Sequence, residues 1–292
     1  MIENRSRVSS YQADRPVQMR RATHSVIGHS MAYVLKYRDF PDAGGPLRVA
    51  EVPWDRELLG HSVHDVDISG GREADVQREL PNWLNTLKGK LPCLAVAKID
   101  TAAVTLIRVL TRCGFYYVET QLSLSLDLAE TKPGVSWETA GTRMRLGDAA
   151  DAAALTQIAT HGFVADRLHL DPNIADEAAN RRYGAWVNNA IAEQEPLLIV
   201  EENNGTIIGF SHFREIDRQR VGMSLGAVAP AYQGTGAGWM LLDATLMECR
   251  RRGYAAATTK ASLNNRQSVN LLLSRGFVIS HASTTLHWFH GD

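Results

Sequence analysis

Cysteine is scarce in this sequence, and neither sign of charge dominates. The 292 residues include only three cysteines, Cys93, Cys113 and Cys249, whose spacing matches neither a disulfide framework nor a metal site. Basic residues number 31 and acidic residues 32, without the long basic run that nucleic-acid binding requires. No stretch is apolar over the length that spans a bilayer. We therefore expect a cytoplasmic protein without a metal, a nucleic-acid partner or a membrane segment.

What the sequence does contain is the composition of a globular protein. Apolar residues make up 45% and charged residues 22%, and 292 residues are enough for one large domain or two ordinary ones. Residues 1–45 begin with a polar, arginine-containing segment, and we expect them to be a flexible N-terminal extension. A Lys-Pro-Gly sequence at 132–134 predicts a linker between two units, residues 46–130 and residues 142–292.

The most informative stretch lies between residues 228 and 238, where the sequence is Val-Ala-Pro-Ala-Tyr-Gln-Gly-Thr-Gly-Ala-Gly. We predict that a strand ends here and that a glycine-rich turn leads into a helix from Trp239 to Arg252. The first backbone amides of a helix have no intrahelical partner and lie at the positive end of its dipole, so such a junction binds phosphate. The stretch lacks the Gly-Lys-Ser/Thr of a P-loop, and its glycines do not have the spacing of the dinucleotide fingerprint.

Two signatures in this unit resemble those of the GNAT superfamily of N-acetyltransferases. The order Gln233-x-x-Gly236-x-Gly238 is similar to the loop that binds the pyrophosphate of acyl-CoA in that family. Residues 265–277 are similar to the family pattern of Asn-x-x-Ala/Ser, a Leu-Tyr-like pair and Gly-Phe. The resemblance covers residues 142–292. It implies an α/β (α+β) GNAT fold with a mixed, splayed central sheet, and acetyl-CoA as the co-substrate.

The resemblance also implies which residues bind acetyl-CoA. The strand before the loop pairs its backbone with the pantetheine arm, an amide near Val228 polarises the thioester carbonyl, and the loop holds the pyrophosphate. The implied cofactor-binding residues are Gly226, Ala227, Val228, Gln233, Gly234, Thr235, Gly236, Ala237, Gly238, Asn265, Ser268 and Leu272.

One position departs from the family pattern. Where the family often has a tyrosine that protonates the leaving thiolate, this sequence has Leu272, which cannot donate a proton. Ser268 and Ser274 are the candidate acids on the same predicted helix; otherwise water supplies the proton, or the thiolate leaves without one. An inactive copy of the domain is the remaining alternative.

Residues 46–130 resemble half of the same domain. A strand, a helix, Gly-Phe and a second strand occur over residues 93–128 and again over 255–289, but the first unit lacks the glycine-rich loop. We interpret the first unit as a degenerate GNAT-like half-repeat, which either fills structural space or contributes to acceptor binding. A further helix is predicted over residues 73–88, with an interruption at Pro81.

The acceptor side resembles the acetyltransferases of TDP-fucosamine, an amino-deoxysugar nucleotide. The run Gly-Phe-Tyr-Tyr-Val before Glu119 is similar to theirs and makes Glu119 the candidate base, although an exposed strand glutamate fits the same pattern. The loop around Arg167 is also similar, which implies that Arg167 and His169 bind phosphate and that Tyr183 contacts the acceptor. The alternatives are an ion pair of Arg167 with Asp171, a surface or core position for His169, and a core position for Tyr183.

We therefore expect an enzyme that moves acetyl from acetyl-CoA to a primary amine by direct attack, with an amino-deoxysugar nucleotide as the leading small-molecule acceptor. No covalent enzyme intermediate is needed, because a thioester is reactive and holding the two substrates together supplies much of the rate. The alternatives are another small amine, a protein N-terminus, or a non-catalytic acyl-CoA-binding module. The oligomeric state stays open, with a homodimer as one option.

Overall fold

The computed structural model describes residues 35–89, 92–129 and 141–291. Residues 1–34 of the predicted flexible extension and residues 130–140, which include most of the predicted linker, lie outside the described residues. The last part of the predicted extension is described and belongs to the sheet. Arg38–Phe40 form a strand there, and Phe40 packs against the core of the first unit.

Strands and helices alternate through most of the described chain. The strands are β1 (Arg38–Phe40), β2 (Leu47–Glu51), β3 (Ser62–Asp67), β4 (Cys93–Asp100), β5 (Tyr116–Asp127), β6 (Thr142–Leu146), β7 (Leu197–Glu202), β8 (Ile207–Glu215), β9 (Arg220–Val228), β10 (Ala256–Ser262) and β11 (Val278–His290). The helices are α1 (Pro53–Leu59), α2 (Glu73–Leu87), α3 (Val104–Arg112), α4 (Ala152–Gly162), α5 (Asp176–Ala192), α6 (Ala237–Arg251) and α7 (Arg266–Ser274). We call the chain through β5 the first half and the chain from β6 onward the second half.

All these strands belong to one mixed sheet with the order β1-β2-β3-β4-β11-β5-β10-β9-β8-β7-β6. The two halves are interleaved in it. The last strand, β11, lies between β4 and β5 of the first half, and β5 lies between β11 and β10 of the second half. The predicted mixed sheet of an α/β fold is therefore confirmed, and each half completes its part of the sheet with a strand from the other half.

Helices cover both faces of this sheet. On one face, α2 and α3 pack over the first half and α6 and α7 over the second, each pair on a large apolar cluster. Both clusters lie on the same face of the sheet, as β11 shows. Leu286 belongs to the first-half cluster and Ala282 packs against the second-half cluster, and residues four apart on a strand point to the same side. On the opposite face α1, α4 and α5 cover two smaller apolar clusters. The candidate acceptor residues lie on this opposite face, whereas α7 places the candidate Leu272 in the second-half cluster of the first face.

Helix α2 differs from its prediction because Pro81 does not interrupt it. The helix runs from Glu73 to Leu87 with Pro81 inside. Its buried stripe continues on both sides of the proline, and this packing outweighs the lost backbone hydrogen bond. The buried residues of the stripe are Val76, Leu80, Trp83, Leu84 and Leu87.

Candidate active site

The sheet opens between β9 and β10. These parallel strands pair only up to Met223 and Thr259. Beyond that point β9 stays with β8 through Val228, and β10 stays with β5 through Ser262. A β-bulge accompanies the separation, because the register between β8 and β9 slips by one residue next to Met223. Within the described chain, the last residues of β9 therefore have one edge without a neighbouring strand.

Backbone amides on this open edge point into the gap. Ala229 donates its amide to the carbonyl of Ile208, just beyond the ends of β9 and β8. Because the direction of bonding alternates along an antiparallel pair, the amide of Val228 points away from β8 and toward the gap. The same alternation turns the amide of Gly226 in that direction. A ligand lying along β9 would meet both donors.

The glycine-rich loop joins β9 to α6 at the end of this gap. Gly234 and Gly236 have φ values of 77° and 93°, and a Cβ at either position would meet no protein atom within 4 Å. Gly236 is the N-cap of α6, and no described side chain caps the helix, which leaves its first amides available to an anion. Gln233 donates from Nε2 to the carbonyl of Val228 at 3.3 Å, which ties the loop to the end of β9.

Two predicted loop residues do not turn their side chains toward the gap. Ala237 is 3% exposed, and its methyl group belongs to the core, so only its amide is left for binding. Thr235 uses both its hydroxyl and its amide on the carbonyl of Tyr232. The expectation that Thr235 binds the cofactor is therefore not supported, because both of its donors are spent inside the turn.

A cavity of about 2390 Å³ extends from this loop across the open region of the sheet. The second half lines it with the end of β9 and the loop, and the first half lines it with Lys98, Glu119 and Gln121. The interleaving explains this shared wall, because β5 lies directly beside β10. The cavity is larger than the roughly 300–1,000 Å³ of an ordinary ligand pocket, so it has room for two substrates.

Helix α7 forms the wall next to the loop. Asn265 caps this helix by accepting the amide of Ser268 on Oδ1 at 3.1 Å. Ser268 and Leu272 both line the cavity. Ser274 does not, and its exposed hydroxyl donates to the carbonyl of Leu271. The suggestion of Ser274 as the acid is therefore wrong, and Ser268 stays a prediction.

Glu119 is a buried carboxylate with an unused oxygen. It is 2% exposed, it lines the cavity, and its Oε2 has no hydrogen-bond partner among the described residues. Burial raises its pKa, against the lowering effect of the Ser262 hydroxyl and the Lys98 amine. The alternative of an exposed strand glutamate is therefore wrong. A carboxylate with a raised pKa and a free oxygen is suited to accept a proton.

Lys98 projects into the same cavity from β4. The strand register places it beside Thr285 of β11, which is itself beside Glu119 of β5, so the three side chains share one face of the sheet. The side chain of Lys98 is open to the cavity. Desolvation by the surrounding protein nevertheless lowers its pKa to about 8, and the charges of Arg167 and Lys260 add to this effect.

Arg167 lies in the cavity, but its partner is not the expected one. Its guanidinium approaches Asp55 Oδ2 and His287 Nε2, each at 3.4 Å. Asp171 instead contacts Nδ1 of His287 at 2.6 Å. The alternative of an Arg167–Asp171 ion pair is therefore wrong, because the ring of His287 bonds to both side chains and joins them.

The geometry of His169 contradicts its predicted role in phosphate binding. Its Nδ1 contacts Asp166 Oδ2 at 2.5 Å and its Nε2 contacts Asn180 Oδ1 at 3.0 Å, so both ring nitrogens are used inside the protein. The side chain is only 5% exposed. Tyr183 does line the cavity, but it is largely buried and stacks on Phe163 with ring centroids 4.2 Å apart. Most of its surface therefore belongs to the core.

Residues 35–89, 92–129 and 141–291 contain neither a metal-binding cluster nor a membrane-spanning helix. No group of three or more His, Cys, Asp or Glu side chains there is arranged to hold a metal ion. No helix in those ranges combines the length and the apolarity needed to cross a bilayer. The three cysteines are free, and Cys93 and Cys249 are buried.

Three residues of the cavity region were not predicted as candidates from the sequence: Lys98, Lys260 and His287. The two lysines carried a weak signal, because each is the only cation in a strand of small and apolar residues. His287 carried none, since its partners Asp171 and Arg167 are 116 and 120 residues away in the sequence.

Comparisons with known proteins match both the loop region and the fold. A model of the acetyltransferase (GNAT) family matches residues 160–277 of this chain. The spore coat polysaccharide biosynthesis protein SpsD of Bacillus subtilis is 24% identical over 140 residues, which are 48% of this chain and 47% of SpsD. The match to SpsD thus spans about half the length of that relative.

A second relative and a solved structure match more completely. The L-methionine sulfoximine/L-methionine sulfone acetyltransferase of Salmonella typhimurium is 31% identical over 141 residues, which are 47% of this chain and 80% of that protein. The crystal structure of a GCN5-related N-acetyltransferase from Sphaerobacter thermophilus matches 85% of this chain and 78% of its own, with a TM-score of 0.63 at 14% identity. This structural match concerns the fold, and it extends well beyond the region of the family model.

Proposed function

Because the chain belongs to the GNAT family of acetyltransferases, we propose that it transfers acetyl from acetyl-CoA to a primary amine in the cavity between β9 and β10. One observation carries this proposal. The glycine-rich loop of the second half and the buried carboxylate of Glu119 from the first half line the same cavity. The loop offers free amides to an anion, and the carboxylate offers a base to an amine.

The residues along the open edge of β9 fit acetyl-CoA. Gly234 and Gly236 leave space at the start of α6, where free amides suit a pyrophosphate. The amides of Gly226 and Val228 suit the pantetheine arm, which is long, narrow and rich in carbonyl groups. Ser268 lines the adjoining wall and is held in place by the N-terminal turn of α7.

Acetyl-CoA supplies an activated acyl group that a neutral amine attacks directly. The amide of Val228 is directed into the gap, where it stabilises the negative charge that develops on the carbonyl oxygen. Glu119 Oε2 accepts the proton that the amine loses as the new C–N bond forms and the C–S bond breaks. The sulfur takes a proton from Ser268 or from water, because Leu272 has none to give.

An amino-deoxysugar nucleotide is the acceptor that we infer first. Its phosphates suit Arg167, which lies in the cavity, and the name of SpsD concerns polysaccharide biosynthesis. An amino-acid-like acceptor is the second candidate, because the Salmonella relative is named for L-methionine sulfoximine and L-methionine sulfone. Either acceptor would present its amine to Glu119.

A turnover assay on the full-length protein tests the proposal. Thiol release from acetyl-CoA is followed over amino-deoxysugar nucleotides, amino acids, polyamines and peptides with free N-termini, and mass spectrometry identifies the products. We expect thiol release that depends on one class of amine and yields its N-acetylated form. Tight CoA binding without turnover of any amine would instead favour the non-catalytic acyl-CoA-binding module.

A further inference from the structure

The cavity contains positive charge that acetyl transfer itself does not use. We call Lys98, Arg167 and Lys260 the cationic cluster. All three line the cavity, and Lys98 is influenced by the charges of the other two. Neither lysine makes an ion pair within 4 Å among the described residues. Unpaired lysines lining a cavity are a recognition surface for an anion.

The strand register relates this cluster to the proposed base. Lys98 and Glu119 stand on either side of Thr285, in neighbouring positions on three adjacent strands. Strands lie about 4.8 Å apart, so the backbones of Lys98 and Glu119 are about 10 Å apart, with both side chains on the same face. One small molecule can therefore place its amine at Glu119 and an anionic group at Lys98.

Arg167 is held in the cluster by a chain of buried contacts. Nδ1 of His287 donates to Asp171, which leaves Nε2 of the neutral ring to accept from Arg167 Nη1. The other terminal nitrogen of Arg167 lies 3.4 Å from Asp55, and Asp55 is shared with Arg182, whose Nε is closer at 2.6 Å. The charge of Arg167 is therefore only partly neutralised, while its head group stays fixed.

We propose that the acceptor amine also carries an oxyanion, either a carboxylate or a phosphate, and that Lys98 and Arg167 bind it. This inference rests on the proposed acetyl transfer and narrows its substrate class. Lys98 is the specificity-determining residue, and Lys260 adds to the positive field. The first half of the chain therefore takes part in acceptor recognition, because β4 supplies the lysine and β5 supplies the base.

The test compares matched acceptors that differ only in the anion. An amino acid is compared with its amide, and an amino-deoxysugar phosphate or nucleotide with the free amino-deoxysugar. We expect the wild-type protein to prefer the anionic member of one pair. A preference within the amino-acid pair would identify the bound anion as a carboxylate, and a preference within the sugar pair would identify it as a phosphate. At a pH well above the pKa of Glu119, Lys98→Met should lower kcat/KM for that anionic acceptor roughly 10- to 100-fold more than kcat/KM for the neutral acceptor. Lys98→Arg should retain most of the preference.

Lys88→Met is the matched control, because Lys88 is an exposed lysine of the first half outside the cavity. Equal kcat/KM for both members of every pair in the wild-type protein would overturn the inference. If no acceptor is turned over, the proposed acetyl transfer fails, and the same pairs are compared by calorimetric affinity in the presence of CoA. A preference for the anion that Lys98→Met abolishes would then still support the binding site, and equal affinities would overturn it.

Discussion

Glu119 is the residue on which the proposed chemistry depends most. Only the ionised carboxylate accepts a proton, and burial raises its pKa, so kcat/KM of the wild-type protein should fall as the pH drops through that raised value. Glu119→Gln keeps the shape and removes the base. We predict a loss of about 100-fold at pH values above the Glu119 pKa and a pH profile without this acidic limb, measured by thiol release.

A surface glutamate provides the control for this variant. Glu177 is exposed on α5, so Glu177→Gln removes the same charge without touching the cavity, and turnover should be unchanged. If Glu119→Gln retained the wild-type pH profile, a different group would be the base, and Glu119 would have no place in the mechanism.

For single residues, the sequence marked candidates for the site but did not predict the environment of each one. The pattern before Glu119 marked it as a candidate base, but its burial and its free oxygen arise from β10 and β11, which flank it. The sequence predicted phosphate binding for Arg167 and for His169 from the same loop pattern. Their roles differ because Asp166 and Asn180 take both nitrogens of His169, while Arg167 faces the cavity.

At the scale of elements, the loop between β9 and α6 is proposed to bind the pyrophosphate. Gly236→Asp places a carboxylate at the N-cap of α6, where the φ of 93° strains any side chain, although aspartate tolerates positive φ better than most residues. Folding should therefore persist while the new charge repels the pyrophosphate. We predict that CoA affinity falls about tenfold or more while the Tm falls only modestly, measured by calorimetry and thermal unfolding.

The opposite end of the same helix offers a matched control. Gly253 follows α6 with a φ of 88°, and a Cβ there would also meet no atom within 4 Å. Gly253→Asp should leave CoA affinity unchanged and lower stability, because this φ strains any side chain and a carboxylate is unfavourable near a helix C-terminus. Wild-type CoA affinity in Gly236→Asp would place the pyrophosphate elsewhere.

Most individual helices and strands could be predicted from the sequence, but the pairing of the strands could not. Alternating leucines predicted β5, and the glycine-rich motif predicted the junction of β9 and α6, because these signals are local. The position of β5 between β10 and β11 is set by contacts between residues far apart in the chain. The exchange of strands between the predicted half-repeat and the second half was therefore not predicted.

At the scale of the whole molecule, the two halves should fold as one unit. Neither half has a complete sheet alone, because β5 and β11 each lie among strands of the other half. We predict a single thermal transition with equal calorimetric and van't Hoff enthalpies, measured by scanning calorimetry. Two separate transitions would show that the halves are independent domains.

A truncation extends this prediction. Residues 141–292 alone would lack β5, which leaves β10 with an exposed edge and β11 without a neighbour on either side. We expect this fragment to show no cooperative transition by circular dichroism, and co-expression with residues 1–140 to restore it. A cooperative transition in the isolated fragment would contradict the interleaved fold.

The proposed mechanism assigns different tasks to the two halves: the loop of the second half holds CoA, and a carboxylate of the first half removes the proton. The most direct test measures CoA affinity and acetyl transfer side by side in Gly236→Asp and Glu119→Gln. We predict that Gly236→Asp loses CoA affinity, whereas Glu119→Gln binds CoA as the wild-type protein does and loses turnover. Wild-type turnover in Glu119→Gln, or wild-type CoA affinity in Gly236→Asp, would contradict the claim.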